Sequence, residues 1–522
     1  MSTVETWRSL LGGDGPSHDE VVTHARVRDV ELPYGAGTMA LVTLDNGFDH
    51  TKPNTFGPHG LLALNDALDQ VAARDDLAAV GVTGKPFIFA VGADLKGVSA
   101  LADREQAKLV AQLGHDVFRR LGELNVPSFA FVNGAAMGGG VEVALHCTYR
   151  TISSGVPALA LPECFLGLVP GWGGTYLLPR LIGAEKALKV VIENPLNQNK
   201  MLRGPQAYEL GIADAMFEPA DFLEESLRWA ARVLTGEETV ERAEIDTGKA
   251  WDDAVAQARW FAEGKLHGAA PAPLRALDLV AAAKDRTRDE GFAAEDDALA
   301  DLIVSPELQS GLYAFDLVQK RAKRPAGAPD KALARPVTKV GVVGAGLMAS
   351  QLALLFARRL NVPVVLTDLD QERLDKGVGY VHGEIDKLLG KGRVSADAAS
   401  RLKGLVTGSL TKDAFADADF VIEAVFEEIG VKQQVFAEVE AVVSAEAILA
   451  TNTSSLSVSE MAAKLRHPER VVGFHFFNPV AVLPLLEIVR AEKTDDAALA
   501  TAFAVGKSLK KSCVLVKDAP AF

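Results

Sequence analysis

A run of glycines followed by a carboxylate is the first place in this 522-residue chain where residue types and spacing could do chemistry. Met137-Gly138-Gly139-Gly140-Val141-Glu142 lets bare backbone N–H groups approach a ligand, and Glu142, within one helical turn, can face the same spot. A donor beside a carboxylate suits a carbonyl that gains negative charge while a proton moves nearby. Taken alone, the run reads equally well as a tight turn with a solvated Glu. A second carboxylate, Glu163, follows Pro162, whose restricted φ is expected to hold it on a loop just before the glycine-rich stretch 167–174.

A different chemistry is written further along. Residues 339–343 (Lys-Val-Gly-Val-Val) read as a buried strand, Gly344-Ala345-Gly346-Leu347-Met348-Ala349 as a turn opening a helix, and 364–368 (Val-Val-Leu-Thr-Asp) as the next strand. The acid at its end, Asp368, lies about 20 residues after the glycines. Strand, glycine turn, helix, strand and acid in that order form the dinucleotide-binding fingerprint. Gly344 and Gly346 serve the turn and the close approach of a pyrophosphate, with Leu347 and Met348 opening the helix over it. Asp368 is expected to bind the adenosine ribose and to repel an extra phosphate, which favours NAD over NADP. Beyond it come Asn452-Thr453-Ser454-Ser455, then His475 in a strand-like stretch, and Glu487.

The elements that must position these residues follow an alternating pattern. At roughly 150 residues per domain, the length suggests about three units. A composition 48% hydrophobic and 24% charged marks globular domains, and the net charge of −15 argues against a nucleic-acid surface. Cys147, Cys164 and Cys513 fit neither a disulfide frame nor a zinc site, so a reducing cytoplasm and no metal are expected. Residues 1–11 carry no secretory signal pattern. The uncharged run 340–357 is nominally long enough to span a bilayer, but the glycine turn inside it makes it a strand and a helix, and no membrane segment is expected.

Residues 1–25 read as a loose lead-in. Strands are expected at 39–44, 79–83, 128–132, 151–152 and 159–161, with helices at 61–73 and 104–124. The glycine run therefore falls between a strand and a helix, whose N-terminus adds roughly half a positive charge there. The charged, alanine-rich stretch 236–322 suggests amphipathic helices packing between domains, with Trp251 and Trp260 as core or interface residues. Residues 320–336, rich in Pro and Gly, read as a linker. In the last part, strands are expected at 419–424 and 447–450 and from 471 onward.

Phe89-Ala90-Val91-Gly92-Ala93-Asp94, the stretch from Asn133-Gly134 to Glu142, and Pro162-Glu163 through Gly174 together resemble the enoyl-CoA hydratase (crotonase) family, in the same order and with similar separations. The resemblance covers roughly 26–234. It implies that the N–H groups of Ala93 and Gly139 form an oxyanion hole for a thioester carbonyl, while Glu142 and Glu163 flank a water and the α-carbon. Family members that only isomerise a double bond can manage with the second carboxylate, so the presence of both favours a hydratase.

Asn-Thr-Ser-Ser, His-Phe-Phe-Asn-Pro at 475–479 and Glu487 are similar to the nucleotide-binding half of L-3-hydroxyacyl-CoA dehydrogenases, over about 337–520. This resemblance implies His475 as general base, Glu487 orienting it, Ser454 on the substrate oxygen, and Glu427 and Lys432 on the cofactor side. The tandem resembles multifunctional fatty-acid oxidation α subunits. The expected fold class is α/β: a lead-in (1–25), a crotonase-type ββα spiral (26–235), a helical linker region (236–336) and a Rossmann-like NAD-binding domain (337–522).

What the resemblance implies is a β-oxidation enzyme. It would hydrate trans-2-enoyl-CoA to (3S)-3-hydroxyacyl-CoA and oxidise that with NAD, with coenzyme A as the acyl carrier. A thiolase subunit and a second copy of the chain are the partners it implies. Family members continue past a Lys-Asp-x-Pro-Gly-Phe stretch into an Asn-Arg pair and a helical domain. This sequence reads Lys517-Asp518-Ala519-Pro520-Ala521-Phe522, so a fragment or truncated variant with hydratase activity and little NADH formation is expected. Two rivals are a non-catalytic thiolase-binding scaffold with a vestigial NAD module, and a hydratase or isomerase of aromatic or amino-acid acyl-CoA breakdown, since acyl preference depends on pocket shape.

Overall fold

The computed structural model describes residues 3–11, 20–99, 101, 103–318 and 325–522. Parts of the expected lead-in (1–2 and 12–19) and of the expected linker (320–324) lie outside the described residues. The chain divides into two compact units, Met1–Phe315 and Asp316–Phe522.

In the first unit the strands are β1 (His24–Glu31), β2 (Thr38–Asp45), β3 (Leu77–Gly84), β4 (Ile88–Val91), β5 (Ser128–Val132), β6 (Ala135–Met137), β7 (Tyr149–Ser153), β8 (Leu159–Ala160) and β9 (Ala215–Phe217). A six-stranded sheet runs β1-β2-β3-β5-β7-β9, and a small sheet runs β4-β6-β8. Among the named strands, β1 and β2 pair antiparallel and the others pair parallel. Strands β3 and β5 are covered on both faces, which is why their sequences read as continuous apolar runs without alternation. The small sheet matters most for the chemistry. Its parallel register sets Val91 opposite Met137, so Ala93 and Gly139, each two residues beyond a paired strand end, emerge side by side.

The lead-in contains a helix, Thr3–Leu10, pinned by buried Trp7, whose indole N–H donates to Leu109 O at 3.0 Å. Glu163 is not on a loop: it opens the short helix Glu163–Leu166, with Pro162 as its N-cap. The helices Lys249–Leu266, Pro271–Ala283 and Arg288–Ile303 form no separate region between domains. Their apolar faces, including Trp251, Leu277, Phe292 and Leu299, join the main core of the first unit. Amphipathic periodicity shows that a face must be buried but not against what. Trp260, in contrast, is 78% exposed.

The second unit has strands β10 (Val340–Val343), β11 (Val364–Thr367), β12 (Val406–Ser409), β13 (Phe420–Glu423), β14 (Ile448–Thr451), β15 (Val471–Phe476), β16 (Leu485–Arg490) and β17 (Ser512–Lys517). They form one sheet in the order β12-β11-β10-β13-β14-β15-β16-β17. It is parallel from β12 to β15, with β16 running against β15. Apolar clusters cover both faces. The uncharged run 340–357 is β10 and the helix Leu347–Leu360. No helix among the described residues is long and apolar enough to cross a membrane.

Candidate active sites

In the first unit, the glycine run folds as it does for two steric reasons. Gly138 takes φ +51° between β6 and the helix Gly139–Leu145, a conformation that L side chains rarely adopt. A Cβ on Gly140 would stand 1.9 Å from Ala90 O, so only glycine lets this helix sit against β4. The Gly139 N–H is the first of the helix and has no intrahelical acceptor. Opposite it, the bridge between Phe56 and Ala93 uses Phe56 N–H to Gly92 O and Asp94 N–H to Phe56 O, which leaves the Ala93 N–H out of the bridge. Two donors at a helix N-terminus can stabilise an oxyanion.

The two carboxylates meet at this place. Glu142 is buried, and its Oε1 accepts the N–H groups of Trp172 (2.7 Å) and Gly174 (2.9 Å). Burial, then the nearby Glu295 carboxylate, raises its pKa to about 8 against the pull of those two donors. Glu163 is less well supported: its Oε2 is buried and without a hydrogen-bond partner among the described residues. Burial and the neighbouring Glu142 push its carboxyl well above the ordinary range. A pair with unequal support can hold one proton between them, on the less supported member.

Space for a substrate adjoins both. A cavity of about 50 Å³ lies between Gly139, Glu142, Glu163, Leu299 and Ile303. Next to it a cleft of about 580 Å³ is lined by Trp7, Leu61, Leu101, Val110 and others, and the two share Ala93, Val98, Val110 and Trp172 as walls.

Three contributors, Glu295, His115 and Trp7, had no sequence signal that singled them out. The turn 172–176 supplies the donors to Glu142, Glu295 and His115 brace that turn from the far helices, and Trp7 lines the cleft. They converge only through tertiary contacts.

In the second unit, His475 in β15 and Glu487 in β16 are register partners, and His475 Nδ1 lies 2.7 Å from Glu487 Oε2. The antiparallel turn of the last strands is what makes the pair. Asn452 Oδ1 accepts the Phe476 N–H at 2.9 Å and ties the Asn-Thr-Ser-Ser segment to the histidine strand. Ser454 is exposed, and its N–H donates to Glu427 at 2.9 Å. Lys432 is buried, 2.8 Å from Glu423 and 3.2 Å from Glu427. Glu423, which anchors this lysine, stands at the end of β13 with no motif in the sequence to mark it.

The turn residues fit NAD by their own geometry. Gly346 and Leu347 are exposed at the start of the helix Leu347–Leu360, and a Cβ on Gly346 would meet no atom within 4 Å, leaving open space over the helix N-terminus. Met348 is half-buried beside them. Asp368, at the end of β11, uses Oδ2 to accept the Ala345 N–H at 2.7 Å, so it holds the glycine turn.

Fold and sites thus define two modules: a crotonase-type unit with two N–H donors beside two carboxylates, and a Rossmann-type unit with an NAD turn and a His–Glu pair. Residues 36–272 match the family described as enoyl-CoA hydratase/isomerase, and 339–519 match the NAD-binding domain of 3-hydroxyacyl-CoA dehydrogenase. The chain is 34% identical to the fatty acid oxidation complex subunit alpha of Idiomarina loihiensis, over 90% of this chain and 65% of that protein. It is 33% identical to the Shewanella amazonensis protein of the same description, over 93% of this chain and 68% of that one. A solved structure, the (S)-3-hydroxybutyryl-CoA dehydrogenase of Ralstonia eutropha, is 33% identical over 36% of this chain and 66% of that chain, with a TM-score of 0.35. The chain belongs to the family of fatty acid oxidation complex alpha subunits, and it spans about two thirds of the length of those relatives.

Proposed function

We propose that the first unit hydrates trans-2-enoyl-CoA to (3S)-3-hydroxyacyl-CoA and that the second oxidises this product with NAD to 3-ketoacyl-CoA. The observation that carries the reading is the meeting of two unengaged N–H groups, Ala93 and Gly139, with two carboxylates around one cavity.

In the hydration, Glu142 as carboxylate takes a proton from water while the water oxygen bonds to C3. Electron density moves to the thioester oxygen, where the Ala93 and Gly139 donors hold it. Glu163, protonated, then delivers its proton to C2. Water has been added, and the proton has passed from Glu163 to substrate and from water to Glu142.

For the oxidation, His475 takes the 3-hydroxyl proton, and Glu487 orients the ring and steadies its cationic form. Ser454 binds the substrate oxygen. Gly344, Gly346, Leu347 and Met348 would hold the pyrophosphate of NAD, Asp368 its adenosine ribose, and Glu427 with Lys432 the nicotinamide side. When bound, NAD supplies the acceptor for the hydride that leaves C3.

Cytoplasmic residence, self-association and a thiolase subunit that cleaves the ketoacyl product belong to the same reading. Size-exclusion chromatography with and without such a thiolase tests the last two.

Loss of the conjugated-thioester absorbance measures the first step. Glu142→Gln and Glu163→Gln should each lower kcat by about 10² to 10⁴-fold, and unchanged turnover in both would sink the hydratase assignment. With NAD added, His475→Gln should abolish whatever NADH the parent forms and leave hydration intact.

A further inference from the structure

The backbone N–H groups of residues 172–176, a turn that runs into the first turn of the helix Gly174–Ile182, are divided between two carboxylates. Trp172 and Gly174 donate to Glu142 at 2.7 and 2.9 Å. Gly173, Thr175 and Tyr176 donate to Glu295 at 2.6, 2.9 and 2.9 Å, and the Thr175 hydroxyl donates to it as well. Glu295 comes from the helix Arg288–Ile303, and its side chain is wholly buried.

Its remaining neighbour is His115, from the helix Arg104–Arg119. His115 Nε2 lies 2.9 Å from Glu295 Oε2, and Nδ1 lies 2.7 Å from Asp296 Oδ1. With a carboxylate at each nitrogen, both ring nitrogens act as donors, which is the cationic form. A buried carboxylate brings a heavy desolvation cost unless it is paired and hydrogen-bonded, and here it is both.

We propose that Glu295 and His115 are positioning residues for hydration. Glu295 clamps the turn so that the Trp172 and Gly174 donors fall on Glu142, and His115 supplies the counter-charge that lets this second buried carboxylate stand behind the site. The proposal rests on Glu142 being a hydration carboxylate.

The charges around the pair give the proposal a sign. Glu142 faces Glu163, Glu295 and His115; His146, whose pKa burial lowers to about 3, is neutral and donates from Nε2 to Trp172 O. Glu295 faces His115, Asp296 and Glu142, while Asp116 acts on Asp296, and Arg119 and Arg288 act on His146. Burial opposes a proton on His115, but the Asp296 and Glu295 carboxylates overcome it and raise its pKa to about 9. Removing the Glu295 charge should ease ionisation of Glu142, and removing the His115 charge should hinder it.

The pH profile of kcat/KM for a four-carbon trans-2-enoyl-CoA tests this. In Glu295→Gln the acidic limb should move down by about one pH unit, and in His115→Gln it should move up. A merely structural role lowers the rate in both variants and moves neither limb. Protein carrying ¹³C-carboxyl glutamate gives a second readout without substrate: the Glu142 carbon, assigned by its loss in Glu142→Gln, should titrate with the same opposite shifts. Unmoved titrations, or shifts of the same sign in both folded variants, overturn the proposal. If one variant fails to fold, the sign in the other decides, and Asp296→Asn, which weakens proton binding at His115, must move Glu142 upward. If the parent protein leaves the enoyl thioester unchanged, the hydration reading fails, while the carboxyl titration still decides the coupling.

Discussion

Gly140→Ala tests the geometric basis of the oxyanion cradle without touching a titratable group. The added methyl carbon would stand 1.9 Å from Ala90 O, where ordinary contact begins near 3.4 Å. The helix Gly139–Leu145 and β4 must therefore separate by about 1.5 Å, taking the Gly139 N–H away from the Ala93 N–H. Misplacement by about 1 Å costs roughly 10²-fold in rate, which corresponds to about 2.7 kcal/mol in the barrier. Overpacking should lower stability by about 1–3 kcal/mol in addition. The assay is hydration followed by loss of the conjugated-thioester absorbance, with urea denaturation run in parallel. Gly264→Ala is the control: it lies in the helix Lys249–Leu266, where an added Cβ meets nothing within 4 Å, and should leave the rate unchanged. A folded Gly140→Ala variant within about threefold of the parent rate would refute the reasoning, since a separation that large cannot leave two aligned donors in place.

Two further outcomes follow from buried contacts. Lys432→Met should destabilise the second unit by about 3–5 kcal/mol, because it leaves Glu423 buried with no cation. Adding Glu423→Leu should restore much of the loss in urea denaturation, and a single variant as stable as the parent would contradict the buried-pair account. Trp7→Ala removes the anchor of the helix Thr3–Leu10 from the cleft, so trypsin should cut at Arg8 at least about tenfold faster. An unchanged cleavage rate would show that other contacts hold that helix.

The local chemistry was legible to different depths in the two units. The NAD turn could be read almost whole, because strand, glycines, helix and acid are consecutive and each has a steric or electrostatic reason to sit where it does. The residues alone marked Glu142 and Glu163 as carboxylates near glycine-rich turns, and the family resemblance made them a pair, but nothing in the sequence made the pair unequal. Their difference arises from donors on the turn 172–176 and from an orphan oxygen, neither of which a sequence displays. The helix Arg288–Ile303 illustrates the same limit. Its periodicity required a buried face, and only packing against the helix Arg104–Arg119 brought Glu295 and His115 together.

By itself, then, the sequence determined the alternation of strands and helices, the two glycine turns, and the residue types able to move a proton or cradle an anion. These follow from contacts along the chain, where sterics and periodicity act over a few residues. The tertiary structure decided which N–H groups stand free, that the helices at 249–303 complete the first unit's core, that His475 meets Glu487 across antiparallel strands, and which carboxylate is supported. Burial and charge coupling depend on distances between segments far apart in the chain, and those distances exist only once the core has formed.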